Sequence, residues 1–230
     1  MRYIVLSSVP GQRTILYSES LMKSQDVYLL LKVICLQDSE KKRSLMIEDS
    51  IHQEGWQGWE PEKASDEDLI DKSLADDPYT ARALEALTGI SKTEISASLK
   101  RSMAVGLCKK DRLSKKPVVN RKALYEFLIY GIRYVFPAKL GAVVRGIPTS
   151  ISAPAFEKLL HSSGELKPVW PDPYGKDMGV EVQPLYSKVP KGVKTDSKLY
   201  ELLVLVDALR LGKAREFNLA VELLKERMLP

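Results

Sequence analysis

A dense block of basic side chains between residues 80 and 122 is the strongest chemical feature of this sequence. The block holds eleven lysine and arginine residues against three acidic ones, a net charge of +8, in a chain of 230 residues whose total is +5. Basic side chains at this density bind polyanions, because neutralising phosphates releases counterions and so drives affinity. The alternative is an ordinary solvated lysine-rich surface. The block therefore predicts a surface suited to nucleic acid.

Residue types suited to catalysis or metal binding are sparse. The two cysteines, Cys35 and Cys108, and the two histidines, His52 and His161, cannot complete a zinc site at the usual spacing. The chain has no glycine-rich phosphate-binding loop with lysine, no Gly-x-Ser-x-Gly motif and no histidine beside a candidate nucleophile. We expect a protein that is not an enzyme and that needs no cofactor or metal. Both thiols are expected to be buried.

The overall composition is that of a globular protein. Hydrophobic residues make up 44% and charged residues 28% of the chain, which excludes a mainly disordered or collagen-like protein. The apolar stretches are shorter than the roughly 18 residues that span a bilayer. The apolar start is also too short for a signal peptide. We expect a cytoplasmic protein with no membrane partner.

Within the basic block, apolar residues are spaced for two short helices joined by a turn. The first helix covers 80–87 and ends at Gly89, because glycine adopts the left-handed conformation that closes a helix. Ser91 and Glu94 have the spacing of a capping box, which predicts a second helix from Lys92. Three apolar residues of this helix recur at three- to four-residue intervals and must face inward: Ile95, Leu99 and Met103.

The outward face of the second helix is small, polar and basic, which suits insertion into the DNA major groove. Lys92, Thr93 and Ser96 are expected to contact base edges. The other cations of this region are expected to bind phosphates. They are Lys100, Arg101, Lys109, Lys110, Arg112, Lys115 and Lys116. The segment KKDRLSKKPVV predicts a β-hairpin, or wing, with its turn near residues 112–115.

The two helices and the hairpin resemble the winged helix-turn-helix of bacterial MarR-like regulators. The resemblance covers residues 24–36, which match the first helix of that family, and residues 79–120. It implies a dimeric, sequence-specific regulator of transcription that binds double-stranded DNA. Residues 38–79 depart from the family, because its usual connection is far shorter. This stretch carries thirteen acidic and five basic residues, and we expect either a surface loop with one helix over 65–74 or a brake that competes with DNA.

Residues 123–230 are expected to form a small mixed domain that ends in a helix pair. The first predicted elements are a helix capped by Asn120 and running to about 134, a strand over 141–149 and a brief helix over 153–160. A turn-rich loop over 167–179, with Trp170 and Tyr174 buried, and a strand over 180–185 follow. The last two elements are a helix capped by Asp196 or Ser197 and a helix after Gly212. The final pair is expected to be core, with a dimer or partner interface as the alternative.

Together these patterns predict an α+β protein. Residues 1–21 would be an N-terminal extension or extra strand, 22–122 a mainly helical winged helix-turn-helix domain with an acidic insertion at 38–79, and 123–230 a C-terminal α/β regulatory or dimerisation domain. The segments RYVFPAKLGAVVRGIPT, PVWPDP, VQPLY and LYELLVLVDALRLGKARE also look like a group of uncharacterised bacterial winged-helix regulators. The expected partners are double-stranded DNA, a second copy of the chain and a protein bound by the C-terminal domain. The alternative function is a protein-interaction adaptor or antitoxin-like protein that binds another protein and autoregulates its operon.

Overall fold

The computed structural model describes residues 21–44, 59–60, 77–157 and 166–229. The helices are α1 (Ser24–Ser44), α2 (Ala81–Thr88), α3 (Lys92–Ala104), α4 (Arg121–Tyr130), α5 (Ile132–Val135), α6 (Pro154–Glu157), α7 (Val189–Val193), α8 (Ser197–Leu211) and α9 (Ala214–Met228). The strands are β1 (Cys108–Lys110), β2 (Pro117–Val119), β3 (Leu140–Pro148), β4 (Pro168–Pro171) and β5 (Asp177–Val182). The expected mixture of helix and strand is confirmed. The predicted N-terminal extension up to residue 20, the helix over 65–74, most of the acidic insertion, His52 and His161 lie outside the described residues.

Helix α1 lies at the centre of the fold. Every side chain from residue 27 to residue 35 is buried, as expected of a helix that packs on all sides. The helix contacts α3, β2 and α8. Lys32, in the middle of this run, donates a hydrogen bond to the carboxylate of Asp196 at 2.8 Å, which compensates the charge that burial would otherwise leave unpaired. The predicted helix over 24–36 is confirmed and continues to Ser44.

Helices α2 and α3 form the predicted pair joined by a tight turn. The side chain of Thr80 accepts a hydrogen bond from the Ala83 N–H and so caps α2. Gly89 ends α2 with a φ of +68°, the left-handed conformation that its sequence position predicts. Helix α3 then begins at Lys92 and packs on α1. Strands β1 and β2 form the predicted hairpin, in which Cys108 lies opposite Val119.

The helix that follows the hairpin is shorter than expected. The side chain of Asn120 accepts a hydrogen bond from the Ala123 N–H, so the predicted N-cap is confirmed. The single helix expected to run to about residue 134 is interrupted at Gly131, after which α5 forms one further turn. Arg133 on α5 donates to the Leu209 carbonyl at 3.0 Å. This contact ties the segment after the break to the end of α8.

Strands β3, β4 and β5 close on one another as a small three-stranded barrel. Strand β3 pairs antiparallel with both others, and β4 pairs with β5 in parallel. Such close approach requires glycine, since a Cβ at Gly146 would lie 2.1 Å from the Trp170 carbonyl oxygen. The turn-rich loop expected over 167–179 is therefore wrong in part, because Pro168–Pro171 is a strand. Trp170 is buried as predicted, whereas Tyr174 is 46% exposed.

Helices α8 and α9 form the predicted C-terminal pair. Asp196 caps α8 by accepting a hydrogen bond from the Leu199 N–H. Arg227, near the end of α9, donates to Glu201, near the start of α8, at 2.9 Å, which shows that the two helices run antiparallel. The hydrophobic core is continuous from α1 to α9. The boundary expected at residue 122 therefore does not coincide with a break in the core.

Candidate nucleic-acid interface

The outward face of α3 carries four of the predicted contact residues. Lys92, Thr93, Ser96 and Lys100 are all exposed, while Ile95 on the opposite side is buried. Residues 92, 96 and 100 are spaced by four, so their side chains project from one face of the helix. The structure thus brings together two cations and two small hydroxyl side chains on one convex helical surface.

The first turn of α3 differs from the predicted capping box. Ser91 has the extended backbone of an N-cap residue, but its side chain makes no capping hydrogen bond. Glu94 does not reach back to the helix start, because its carboxylate accepts hydrogen bonds from Arg101 at 2.5 Å and from Lys23 at 3.0 Å. The capping-box prediction is therefore wrong at both side chains. Glu94 belongs instead to an ion-pair network with Arg101 and Lys23.

Lys92 forms a weak surface ion pair. Its Nζ lies 3.6 Å from Glu85 Oε2, and both side chains are substantially exposed. Exposed ion pairs contribute about 0–1 kcal/mol. A phosphate or a base edge could therefore replace Glu85 at Lys92 at little energetic cost.

Arg101 is a correction to the predicted phosphate contacts. Its guanidinium donates to both carboxylate oxygens of Asp26, at 2.9 and 2.7 Å, and also to Glu94. The Arg101 side chain is 8% exposed and Asp26 is fully buried. Because the guanidinium is engaged by the hydrogen bonds that it donates to Asp26 and Glu94, Arg101 fixes α3 on α1 and is not accessible to DNA. The sequence could not show this, because Asp26 lies far away along the chain.

The β-hairpin presents four of its predicted cations to solvent. Lys109 and Lys110 on β1 and Arg112 and Lys115 in the turn are all exposed. Asp111 organises the turn by accepting hydrogen bonds from the backbone N–H groups of Leu113 and Ser114 at 3.1 and 2.8 Å. Hydrogen bonds from Ser114 hold the pKa of the Asp111 carboxyl below its usual value. Asp111, the one acidic residue of the hairpin sequence, therefore stabilises the turn by accepting its backbone hydrogen bonds.

Lys116 is engaged by α1 rather than left free for phosphate. Its Nζ lies 2.5 Å from Glu40 Oε1 and 5.0 Å from the ring centre of Tyr79. The Tyr79 hydroxyl also donates to Glu40 at 2.9 Å. These contacts hold the base of the hairpin against α1, and the predicted phosphate contact of Lys116 stays a prediction.

One basic element near this surface was not expected from the sequence. The short helix α7 lies against the turn between α2 and α3. Two exposed lysines border the same region: Lys188, directly before α7, and Lys191 within it. The lysines at 188, 191 and 194 recur every three residues in the sequence, which is a usable signal for one helical face. These lysines lie far from the basic block along the chain, so the sequence alone does not indicate that they border the same region.

Within the described ranges, no helix has the length and apolar character needed to cross a membrane, and no group of three or more histidine, cysteine, aspartate or glutamate residues could hold a metal ion. Cys35 and Cys108 are buried, as expected. No known protein family, curated protein or solved structure matches this chain.

Proposed function

We propose that this chain is a sequence-specific regulator of transcription that binds double-stranded DNA through a winged helix-turn-helix. The observation that carries the proposal is the exposed face of α3, where Lys92, Thr93, Ser96 and Lys100 stand together directly after the turn at Gly89. A convex helix with such a face fits the major groove in shape and in hydrogen-bonding chemistry. The proposal agrees with the resemblance to MarR-like regulators.

The residues would divide the work between base edges and phosphates. Lys92, Thr93 and Ser96, near the start of α3, would donate to or accept from base edges in the major groove. Lys100 and the exposed hairpin cations would bind phosphates on either side of that groove. The hairpin cations are Lys109, Lys110, Arg112 and Lys115. A dimer of such a protein would read a two-fold symmetric site, which is why we propose a homodimer.

The test is fluorescence anisotropy with a labelled duplex from the upstream region of its own gene, compared with a scrambled duplex over a series of salt concentrations. The logarithm of the binding constant should fall with the logarithm of salt concentration by about 0.9 per phosphate contacted. The variant Lys92→Gln/Lys100→Gln should weaken binding, whereas Lys139→Gln/Lys225→Gln, which removes two exposed lysines remote in sequence from α3, should not.

The variant Thr93→Ala/Ser96→Ala should lower the preference for the upstream duplex, because mismatched base contacts cost about 1–3 kcal/mol each. Equal affinity of the wild-type protein for both duplexes at every salt concentration would contradict sequence-specific binding. Unchanged affinity in Lys92→Gln/Lys100→Gln would remove α3 from the interface. Arg101 is omitted from these variants because of its buried ion pair.

A second candidate function is an adaptor or antitoxin-like protein that binds another protein. The observation that favours it is a group of exposed apolar side chains around α5 and the start of β3. Tyr134 is 81% exposed, Val135 51% and Leu140 63%, and apolar groups of this kind mark protein-binding surfaces. Two results together would favour this function. A stoichiometric partner should co-purify with the wild-type chain and be lost in Tyr134→Ser/Leu140→Ser, and the wild-type chain should show no salt-dependent DNA binding.

A further inference from the structure

Helix α7 and the residues before it are fixed against the turn between α2 and α3. The Tyr186 hydroxyl donates a hydrogen bond to the carbonyl oxygen of Gly89 at 3.2 Å. The aliphatic stem of Lys188 covers the same glycine so closely that a Cβ at Gly89 would lie 3.0 Å from Lys188 Cγ. The C-terminal part of the chain therefore reaches the centre of the helix-turn-helix.

Contacts with α1 hold the same segment from the other side. Ser24 donates its hydroxyl hydrogen to the Leu185 carbonyl at 2.6 Å, and the rings of Tyr28 and Tyr186 stack with their centres 6.0 Å apart. A Cβ at Gly192 would lie 2.1 Å from the Tyr28 hydroxyl oxygen, so α7 approaches α1 at a glycine. The exposed side chains of this segment are thus held in a defined position beside α2 and the turn that precedes α3.

An open cleft of about 580 Å³ separates the second half of α2 from α7. Lys188 and Lys191 border it and are exposed. Lys194 borders it as well, but its Nζ lies 2.9 Å from Asp172 Oδ2 and 5.2 Å from the ring centre of Tyr174. The two outer lysines, rather than Lys194, are therefore the cations that α7 presents at this cleft.

The cleft connects with the base-reading face of α3 through Glu85. Glu85 lines the cleft, and its carboxylate is the partner of Lys92. Lys92 is thus paired with a residue of the cleft that Lys188 and Lys191 border. We infer that Lys188 and Lys191 bind the DNA phosphate backbone next to the groove entered by α3, so that α7 is a third part of the interface, beside α3 and the hairpin.

A phosphate backbone fits this arrangement better than an enclosed small anion does. The two lysines lie on an exposed rim, and the nearest acid that lines the cleft, Glu85, is already paired with Lys92. A duplex offers a row of phosphates along the edge of the groove, which suits cations that flank a recognition helix. This inference rests on the proposed function, because α7 has a role in DNA binding only if α3 enters the groove.

The experiment compares the salt dependence of duplex binding for the full chain and for Lys188→Gln/Lys191→Gln. Glutamine keeps the aliphatic stem that covers Gly89 and removes the charge. Loss of two phosphate contacts should lower the slope of log K against log salt concentration by about 1.8. Affinity should fall equally for the upstream and scrambled duplexes, because phosphate contacts carry no sequence information. The control is Lys139→Gln/Lys225→Gln, which removes the same charge elsewhere and should leave the slope unchanged.

The possible outcomes separate this inference from the proposed function. An unchanged slope in Lys188→Gln/Lys191→Gln, with a reduced slope in Lys92→Gln/Lys100→Gln, would overturn the role of α7 and leave the regulator proposal intact. An equal decrease in the control variant would assign the effect to net charge and also overturn it. Absence of salt-dependent binding by the wild-type chain would overturn both.

Discussion

Replacement of Arg101 by alanine should destabilise the fold rather than remove a DNA contact. The substitution deletes two hydrogen bonds to Asp26, at 2.9 and 2.7 Å, and one to Glu94 at 2.5 Å. Asp26 is fully buried, so among the described residues its carboxylate would keep the single hydrogen bond from the Lys23 backbone N–H at 2.8 Å. Breaking a buried ion pair from one side costs about 3–5 kcal/mol. For a chain of this length, that corresponds to a fall in Tm of about 6–20 °C.

Thermal unfolding followed by circular dichroism measures this effect, with Lys100→Ala as the matched control. Lys100 is the exposed neighbour of Arg101 on α3, so its replacement should change stability by about 0.5 kcal/mol or less. The double variant Asp26→Asn/Arg101→Ala should be less destabilised than the sum of the two single variants by about 0.5–3 kcal/mol, the usual coupling between contacting residues. Neutralising Asp26 removes the unpaired buried charge, which is the physical reason for this coupling.

Two results would refute this reasoning. A Tm for Arg101→Ala equal to that of Lys100→Ala would show that the Asp26 ion pair does not hold α3 on α1. Weaker DNA binding by Arg101→Ala, at a temperature where it is fully folded, with the same loss of salt dependence as Lys100→Gln, would show that Arg101 contacts phosphate. The second result would place Arg101 back among the proposed DNA contacts.

Two further predictions follow from buried contacts outside α3. Gly192→Ala should lower the Tm and weaken DNA binding, because its Cβ would lie 2.1 Å from the Tyr28 hydroxyl oxygen. The double variant Gly192→Ala/Tyr28→Phe should recover part of the Tm in thermal unfolding and part of the affinity in anisotropy. Absence of recovery would show that the clash is with another group. Asp38 is partly desolvated, which raises its pKa, but hydrogen bonds from Arg121 and Lys198 outweigh this and hold the pKa below its usual value. The contribution of Asp38 to stability is therefore fully present above the unfolded pKa of about 3.9 and is lost as pH falls through the lower folded value. In urea unfolding, the free energy of unfolding of Asp38→Asn should fall less between about pH 5 and 2 than that of the wild type. An identical fall in both proteins would contradict the pairing.

Elements with local signals could be predicted from the sequence. The end of α2 at Gly89, the caps at Asn120 and Asp196, and the hairpin each depend on residues within a few positions, and each is confirmed. Glycine at a left-handed position and Asx side chains at helix starts are effective because their energies depend on neighbouring backbone groups. The exposed face of α3 follows from the same kind of information, since the inward residues of one helix define the outward ones.

Features that depend on distant partners could not be predicted. Strand β4 looks like a loop in sequence because its prolines and the nearby glycines are turn formers, and only pairing with β3 and β5 makes it a strand. Arg101 resembles any other cation of the basic block until Asp26 is known to face it. The predicted capping box does not form, because Glu94 accepts hydrogen bonds from Arg101 and Lys23 instead. In each case, a tertiary contact outweighed a local preference of about 1 kcal/mol.

The contacts around α3 explain why the proposed DNA-binding surface and the C-terminal part form one structural unit. Helix α1 binds α3 through Asp26 and Arg101, and the same helix packs on α8 through residues that are buried along its length. The turn at Gly89 is covered by Tyr186 and Lys188 from the C-terminal half. Cutting the chain at residue 122 would therefore uncover the apolar surface of α1 and leave the turn before α3 without its support. The position of α3, the proposed recognition helix, therefore depends on residues from both halves of the sequence, and Lys188 covers the turn that precedes it.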